Sequence, residues 1–545
     1  MKQLVRHFLN PSVGFVVSTV LLYAPKYIVG STPPMRVTLL LVVLLVAGAW
    51  LLARGQRLMH GQLVVKQMGL LVVVSAAALV CILTSVFNVY QLDHFVVWVD
   101  SPRLMRDIWL VLQGQGIRPV LGMDHPPQSH VSPTMLLLLP WHALFPSHPA
   151  FLFMRNVLMA GSAIPLFLIA RRVLPQFIAV IIALSYLVNF TIFFALTGQF
   201  YEMHLFPPIF LLACWCFERG WYGGWLISLF LIGGIREEMG FALLGFAALA
   251  FLRKRPTRYW LSAVLLGCAW LVVSYEAVLG FHQGGYTFQY VFHLEHESVV
   301  SRVINNENGI YLYQLGLPFM FVFPFMGWSC LPAIPILMGN LYVKYPLAKV
   351  AFLSYSLPVV VGFFYALTQN MSRLVSRFAP RVREPFLLWF ACCLLALNLT
   401  QSFEHFFYEK SFRTPLGGGL SVPLSKDSTV GKDPAAFESW LSSLREATRR
   451  IPEGCRASTP AHMLAQLPHQ WDALEFDYSN VLRYPEYIMI DGNAYYKDNE
   501  SRMGLVKKIA KGSHYVIEYQ GNGVTLYRSV SQEPLKQCSR PVKLY

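Results

Sequence analysis

The chain has 545 residues, of which 55% are hydrophobic and only 13% charged, and its mean hydropathy is +0.47. A soluble domain carries about 25% charged residues, so the composition excludes a soluble globular protein. The formal net charge of +15 is explained by basic loops on the cytoplasmic side of membrane spans, not by nucleic-acid binding. An anionic lipid substrate would account for part of the remainder.

Uncharged runs long enough to cross a bilayer recur through the first part of the chain and predict an α-helical polytopic membrane protein with roughly thirteen transmembrane helices. The first apolar run, Pro11–Val29, has no small-residue cleavage site, which favours a retained helix over a signal peptide. We expect N-terminal transmembrane helices in 1–91 and a membrane core in 92–400. A large outer loop is expected at 92–132, with a linker and a soluble α/β domain in 401–545.

Basic loops set the predicted orientation. Lys2 and Arg6 place the N-terminus in the cytoplasm, and Arg253–Arg258 and Arg373–Arg383 are cytoplasmic by the same rule. We therefore expect a multi-pass protein of the cytoplasmic (inner) membrane with an extracytoplasmic C-terminal domain. The alternation of inner and outer loops requires that the chain cross the membrane once, net, within 133–170. That segment contains two apolar pieces, one of which would be interfacial or re-entrant.

Four predicted outer segments carry the ionisable groups near span ends. Such groups usually face a cavity or a partner, since exposure to hydrocarbon is costly. Because all four segments lie on the same predicted side, their side chains are expected to line one water-filled cleft. The candidate residues are Asp100, Arg103, Asp107, Asp124 and His130 in the first segment, Glu202 and His204 in the second, Arg236, Glu237 and Glu238 in the third, and Lys344 and Tyr345 in the fourth.

A structural interpretation remains open beside each functional one. Asp100 and Asp107 are also compatible with solvated loop acids or helix caps, and Arg236 with an ion pair to Glu237 at a helix start. Lys344 is also compatible with snorkelling to lipid headgroups. The cluster "HLEHE" (His293–Glu297) contains metal-binding residue types but does not match the H-E-x-x-H zinc motif, so the metal requirement is left open.

The cysteines divide into two groups. Seven of the nine lie in apolar runs and are expected to be small core residues. Cys455 and Cys538 lie in the polar tail and are able to pair if that tail is extracytoplasmic. Two separate unpaired thiols are the alternative.

Seven motifs, in order, give the chain a resemblance to known membrane proteins. They are "VDSPRLMRDIW" (Val99–Trp109), "SHVSP" (Ser129–Pro133), "ALFP" (Ala143–Pro146), "IARR" (Ile169–Arg172), "QFYEMH" (Gln199–His204), "REE" (Arg236–Glu238) and "EYIMID" (Glu486–Asp491). The set resembles a prokaryotic family of membrane proteins, domain of unknown function 2079. More broadly, the outer loop with its acids resembles the GT-C superfamily of membrane glycosyltransferases.

Two departures from the family pattern affect the site residues. The acids Asp100 and Asp107 are more widely spaced here than in the family, so either matches the family position. In the family, an acid precedes the histidine of the "HxSP" motif. Here Ser129 stands at that position, and Asp124, which lies before the inserted "PPQ", is the candidate to replace the acid.

The resemblance implies a GT-C-like fold and a specific reaction. Such enzymes transfer a sugar from a polyprenyl-phosphate donor to an acceptor on the outer side of the membrane, with inversion. An outer-loop carboxylate would act as the base, with Asp100 the first choice, Asp107 the second, and Asp124 a further candidate. Arg103, Arg236 and Lys344 would bind the donor phosphate, and His130, Glu202, His204, Glu237, Glu238 and Tyr345 would line the cleft.

Two rival functions come from other classes. A secondary transporter would place its ionisable groups near the middle of the spans, whereas here they cluster at span ends. A non-catalytic membrane scaffold for envelope glycan assembly would leave the outer acids dispensable. The sequence does not identify the sugar, nor whether the acceptor is a lipid, a glycan or a protein.

Overall fold

The computed structural model describes residues 62–93, 100–114, 116–117, 120, 130–281, 299–321, 324, 327–343, 346–351, 353–408, 434–452, 455–459, 472–475, 485–491, 510–512 and 514–530. Spans predicted before residue 62 therefore lie outside the described residues. The described part is mostly helical, with one small sheet near the C-terminus, in agreement with the predicted helical membrane protein and α/β tail.

The helices are numbered in chain order, and short 3₁₀ helices are named by their ranges. They are α1 (Gln62–Asp93), α2 (Asp100–Leu112), α3 (Leu139–Leu144), α4 (His148–Gly161), α5 (Ala163–Ala170), α6 (Gln176–Leu187), α7 (Phe190–Thr197), α8 (Phe206–Arg219), α9 (Tyr222–Gly233), α10 (Met239–Leu252), α11 (Thr257–Phe281), α12 (Val299–Val303), α13 (Asn306–Gly316), α14 (Ile334–Tyr342), α15 (Leu357–Ser376), α16 (Pro380–Tyr408) and α17 (Pro434–Arg449).

Four helical stretches among the described residues are long and apolar enough to cross a membrane: Gly69–Leu92, His148–Ala170, Thr257–Ser274 and Val382–Ser402. The pair α6 and α7, bent by 49°, makes a fifth if it is one span. The predicted count of roughly thirteen is not reached there, and it stays a prediction for the whole chain.

Local breaks shorten the other apolar runs. The bend between α6 and α7 falls at Asn189, whose side chain accepts hydrogen bonds from the backbone N–H groups of Thr191 and Ile192 and so begins a new helix. Helix α8 ends at Gly220, which takes the left-handed conformation at φ 73°. Shorter apolar helices lie at Pro133–Leu144, Tyr222–Gly233 and Met239–Leu252.

The segment 133–170, left open by the sequence, forms two apolar pieces of different length. A 3₁₀ helix at Pro133–Leu138 and α3 make the short piece, and α4 with α5 make the long one. Ser147 caps α4 by accepting a hydrogen bond from the Ala150 N–H. The long piece alone has the length of a span, and the single net crossing stays a prediction.

The C-terminal domain has its own hydrophobic core. A five-stranded sheet has the order β2-β1-β3-β5-β4, with β1 (Arg456–Thr459) parallel to β2 (Asp472–Glu475) and β3 (Tyr487–Asp491). β5 (Val524–Ser529) is antiparallel to β3 and to β4 (Tyr515–Gly521). Trp440 and Leu444 of α17 pack against Met489 and Leu526 of the sheet.

The tail cysteines are only partly described. Cys455 is buried and disulfide-bonded, and the seven cysteines in apolar runs are free. Cys538 lies outside the described residues, so its pairing with Cys455 stays a prediction.

Candidate functional site

The outer-loop stretch with the predicted acids forms helix α2. Positions 100, 103 and 107 share one face of this helix, because residues three, four and seven apart lie on the same side. Asp107 is 5% exposed, and its Oδ1 lies 3.6 Å from Nη2 of Arg106. Ser101 Oγ lies 2.7 Å from Nε2 of His148 and ties α2 to the start of α4.

Several predicted site residues fall wholly or partly outside the described residues. Asp100 begins α2, but its side chain lies outside the described residues, as do all of Asp124, Lys344 and Tyr345. Arg103 is half-buried on α2. The assignments of these residues stay predictions.

The structure brings five predicted residues from three separate segments into one cluster, which we call the His130–Arg236 cluster. Nδ1 of His130 lies 2.7 Å from Oε1 of Glu237, and its Nε2 lies 3.9 Å from Oε1 of Glu202. Nε of Arg236 lies 3.1 Å from Oε1 of Glu238 and 3.7 Å from Oε1 of Glu202. The predicted convergence of the second and third outer segments with His130 is therefore present.

Close backbone contact holds two of the three segments together. Thr134 donates its N–H to the carbonyl of Gly234 at 2.8 Å and its hydroxyl to that of Leu231 at 2.7 Å. A Cβ at Gly234 would lie 2.6 Å from Thr134 Oγ1, so a side chain there would separate the segments. The backbone N–H of Val131 also donates to Oε2 of Glu237 at 3.3 Å.

Protonation in the cluster follows from its geometry. Burial alone would raise the pKa of Glu237, but the neighbouring His130 and Arg236 lower it to about 2, so Glu237 is ionised and can only accept hydrogen bonds. Nδ1 of His130 must therefore carry a proton and donate to Glu237. Nε of Arg236 also lies 3.1 Å from this Nδ1, which cannot accept a hydrogen bond while it is protonated. The positive charge of Arg236 is balanced by Glu238, whose Oε1 lies 3.1 Å from the same Nε.

The pKa values of His130 and Glu238 are both raised, for different reasons. Burial and Arg236 both lower the pKa of His130, but the carboxylates of Glu237 and Glu202 outweigh them and raise it. Burial raises the pKa of Glu238 despite Arg236, and the Glu237 carboxylate adds to the rise. Glu238 is therefore easier to protonate than Glu237, although the two are adjacent in sequence.

Arg236 is oriented by contacts on one part of its guanidinium. Its described polar contacts all use Nε, which leaves the two Nη groups for a ligand. The guanidinium carbon lies 4.9 Å from the centre of the Tyr355 ring, a favourable cation–π distance. Its backbone carbonyl accepts a hydrogen bond from Trp270 Nε1 at 3.0 Å. Arg236 is 8% exposed, so its side chain has little freedom to move.

Tyr355 is a site residue that could not be predicted from the sequence. Asn340 donates to the Tyr355 carbonyl at 3.0 Å and to the Tyr311 hydroxyl at 3.0 Å, which fixes the 3₁₀ helix Ser354–Ser356 beside the cluster. Tyr355 belongs to no charged motif, and aromatic residues make up 14% of the chain. Nothing in its local sequence distinguishes it from the other tyrosines.

His204 lies two residues after Glu202, a member of the His130–Arg236 cluster. Its imidazole ring is neutral. Its Nδ1 accepts the backbone N–H of Tyr201 at 2.9 Å, so the single proton of the neutral ring is on Nε2. Burial lowers the pKa of His204, and the positive charge of Arg155 lowers it further. His204 therefore offers an N–H donor, two residues after the acceptor Glu202.

A buried arginine fixes the segment that carries Glu202 and His204. Arg155 of α4 is fully buried and donates to the carbonyls of Leu196, at 2.7 Å, and Gly198. It also donates to Oδ1 of Asn88 at 2.7 Å and to Oδ1 of Asn156 at 2.9 and 3.0 Å. All of these acceptors are neutral. Arg155 is absent from the residues predicted above, because a single arginine in an apolar run gives no sign of its partners.

The described residues give no support for a metal centre. Within them, no three His, Cys, Asp or Glu side chains are placed to hold a metal ion. The motif "HLEHE" lies outside the described residues, and the metal requirement stays open.

The fold and the cluster together define a helical membrane protein with a buried, charged site where several helices end. A family model described as "Predicted membrane protein (DUF2079)" matches residues 105–526. The chain therefore belongs to the DUF2079 family, as the ordered motifs predicted. No curated protein matches the chain.

Three solved structures align with most of the chain at low identity. ArnT from Cupriavidus metallidurans bound to undecaprenyl phosphate has a TM-score of 0.49 and 11% identity, over 86% of this chain and 99% of that one. The same protein in the apo state has a TM-score of 0.44 and 10% identity, over 81% and 97%. The Archaeoglobus fulgidus oligosaccharyltransferase tethered to an acceptor peptide has a TM-score of 0.36 and 12% identity, over 86% and 75%.

The contacts of Arg155 predict a local effect of its substitution. Arg155→Gln removes the hydrogen bonds to the Leu196 and Gly198 carbonyls, each worth about 1 kcal/mol. We expect deuterium exchange of the purified protein to become roughly 10-fold faster in peptides covering 196–206. Arg171→Gln, at the end of α5, is the matched control and should leave those peptides unchanged. Equal acceleration along α1 and α4, with no excess in 196–206, would contradict the assigned role.

The His130–Glu237 pair predicts a pH-dependent contribution to stability. The pKa of Glu237 is lowered from 4.5 to about 2, so its contribution is full above pH 4.5 and is lost as the pH falls toward 2. The pKa of His130 is raised from 6.5, so its contribution is full below pH 6.5 and is lost as the pH rises through the raised value.

Both contributions are therefore present between pH 4.5 and 6.5. Glu237→Gln should lower the unfolding temperature in detergent, at a cost of roughly 1–3 kcal/mol near pH 5.5 and less at pH 9. Glu446→Gln, which removes an exposed ion pair with Arg450, is the control and should show no such trend. A Glu237→Gln effect that is constant or grows toward pH 9 would overturn the assigned protonation.

Proposed function

We propose that the protein is an integral membrane glycosyltransferase. It transfers a sugar from a polyprenyl-phosphate donor to an acceptor on the outer face of the cytoplasmic membrane, with inversion at the anomeric carbon. The acceptor is a lipid, a glycan or a protein. The seven ordered motifs and their resemblance to GT-C enzymes support the proposal, and the arrangement of Arg236 in the described structure carries it.

Arg236 is suited to hold the phosphate of the donor. Glu238 and Glu202 fix its Nε, while the described contacts leave its two Nη groups in the paired arrangement that matches two phosphate oxygens. Tyr355 beneath the guanidinium limits its rotation. Arg103 and Lys344 are further candidates for phosphate contacts.

The reaction is a single displacement. The acceptor oxygen forms a bond to the anomeric carbon while the bond from that carbon to the phosphate oxygen breaks. The polyprenyl phosphate leaves with the bonding electron pair, and a carboxylate takes the acceptor's proton. The positive charge of Arg236 stabilises the negative charge that develops on the leaving phosphate.

Asp100 is the preferred base, followed by Asp107, with Asp124 a further candidate. Asp107 is 5% exposed, which limits the access of an acceptor to it, and its Oδ1 lies 3.6 Å from Nη2 of Arg106. Position 100 shares the same helix face, two turns earlier. The burial of Asp107 favours Asp100 as the base, and Asp107 remains the second candidate.

The remaining candidate residues would bind the sugar and the acceptor. Glu202 and Glu237 accept hydrogen bonds from hydroxyl groups, His204 donates one through Nε2, and Glu238 can exchange a proton. His130 holds Glu237 in place. Tyr345 is proposed as an additional wall of the cleft, and the mechanism neither requires nor excludes a divalent metal.

The proposed base is tested by transfer assays on purified variants. Asp100→Asn keeps the size of the side chain but removes its ability to accept a proton, so transfer should fall by roughly 100-fold or more. Asp107→Asn should cost less. The measurement is transfer from polyprenyl-phosphate hexoses and pentoses, offered one at a time, with protein amount checked for each variant.

Arg172→Gln, an exposed change at the opposite end of the helices, is the control and should transfer at the wild-type rate. Full activity in both aspartate variants would refute the proposed mechanism. Loss in Asp107→Asn alone would leave the reaction intact and move the base to Asp107.

A further inference from the structure

A second polar cluster lies at the far end of α8 and α10 from the His130–Arg236 cluster. Arg253 follows α10, and its Nη1 lies 2.6 Å from Oε1 of Glu218 at the end of α8. Its Nη2 donates to Ser329 Oγ at 2.6 Å and to Oε1 of Gln369 at 3.5 Å. The Tyr365 hydroxyl also donates to Glu218 at 2.6 Å. Helix α10 has 14 residues and so separates the two clusters by roughly 21 Å.

Two buried donors in this second cluster have no acceptor in the described part of the chain. Nε of Arg253 and Nε2 of Gln369 are both buried without a hydrogen-bond partner there. Gln369 is 6% exposed, and its Oε1 faces Arg253, which fixes the orientation of the amide. A buried donor without an acceptor costs roughly 1–3 kcal/mol, so two of them side by side indicate a site for a group that accepts hydrogen bonds.

A second guanidinium lies next to these donors. Arg373 follows Gln369 by one helical turn on α15 and is exposed at the surface. The guanidinium lies beside Gly327, where a Cβ would be 3.2 Å from its Nη1 and 2.5 Å from Oδ1 of Asn370. Within the described residues, Arg373 has no carboxylate within ion-pair distance. Two guanidiniums with one carboxylate, Glu218, leave the cluster with a net positive charge.

Exposed apolar side chains stand next to residues of the second cluster in the sequence. Phe251 and Trp328 are 62% and 56% exposed, and Leu252 is exposed beside them. Large apolar side chains next to arginines, with a tryptophan among them, are typical of the boundary between hydrocarbon and headgroups. Such a surface favours a lipid headgroup as the source of an anion at Arg373.

We propose that Arg253, Gln369 and Arg373 form a binding site for a phosphate group, supplied by an anionic phospholipid. The exposed guanidinium of Arg373 meets the phosphate first, and the amide of Gln369, one turn deeper along α15, donates to it. Arg253 contributes charge and its Nε–H, while Glu218 and Ser329 hold its other nitrogens. The site does not depend on the proposed transfer reaction, because it lies at the other end of the helices.

The test measures lipid binding to the purified full-length protein in neutral detergent. Dioleoyl phosphatidic acid is titrated and its occupancy followed by native mass spectrometry, with phosphatidylcholine as the neutral lipid. Arg373→Gln and Gln369→Leu should each weaken phosphatidic acid binding by roughly 10-fold, since each removes a donor to the phosphate. Arg377→Gln, an exposed arginine one turn further along the chain, is the matched control and should bind as the wild type does.

The source of the phosphate is decided by competition. Inorganic phosphate at millimolar concentration should fail to displace the lipid, because it lacks acyl chains to contact Phe251 and Trp328. Displacement by inorganic phosphate would overturn the lipid assignment. Equal weakening in Arg377→Gln and Arg373→Gln, or binding that no variant changes, would overturn the site itself. Unfolding temperatures of the variants in lipid-free detergent, expected near that of the wild type, separate lost binding from lost folding.

Discussion

The His130–Arg236 cluster depends on one buried cation, the guanidinium of Arg236, whose charge is balanced by carboxylates from different parts of the chain. A buried guanidinium is costly unless nearby carboxylates balance its charge. Glu238 follows Arg236 closely, but Glu202 comes from the segment before α8, and His130 comes from the segment before α3. The balance therefore requires three separate segments to meet where their helices end. Tyr355 adds a fourth, because its ring lies against the same guanidinium.

Arg155 is stabilised in a different way. It lies within a stretch long enough to span a membrane and is fully buried, yet its described hydrogen bonds go only to neutral oxygens. A transporter would use such a mid-span charge for its substrate or ion. Here the side chain is occupied by the backbone carbonyls that precede the Glu202 segment, so its effect is to fix that segment. The two arginines thus differ: Arg155 uses its donors within the protein, whereas the described polar contacts of Arg236 use only Nε, and its role in binding a phosphate is our proposal.

Much of the cluster was predictable because charge beside an apolar span is rare and costly. Alternation of basic loops placed Glu202, Arg236 and His130 on one side, and their side chains do meet. Tyr355 and Arg155 were not predictable, since their partners are far away in sequence and neither belongs to a charged motif. Among the described residues there are fewer long spans than the apolar runs predict, because residues such as Asn189 and Gly220 lie where helices end within or beside those runs. Hydrophobicity alone does not reveal those breaks.

Whether Arg236 presents its paired Nη groups to a phosphate is tested most directly by binding. The measurement is the affinity of the purified protein for undecaprenyl phosphate, compared among wild type, Arg236→Lys and Arg236→Gln. Lysine keeps the positive charge but lacks the planar pair of donors. We predict that both variants lose affinity by roughly 10-fold or more, with unfolding temperatures measured alongside. Wild-type affinity in both variants would contradict this role, because the cluster would then hold its charge for folding alone.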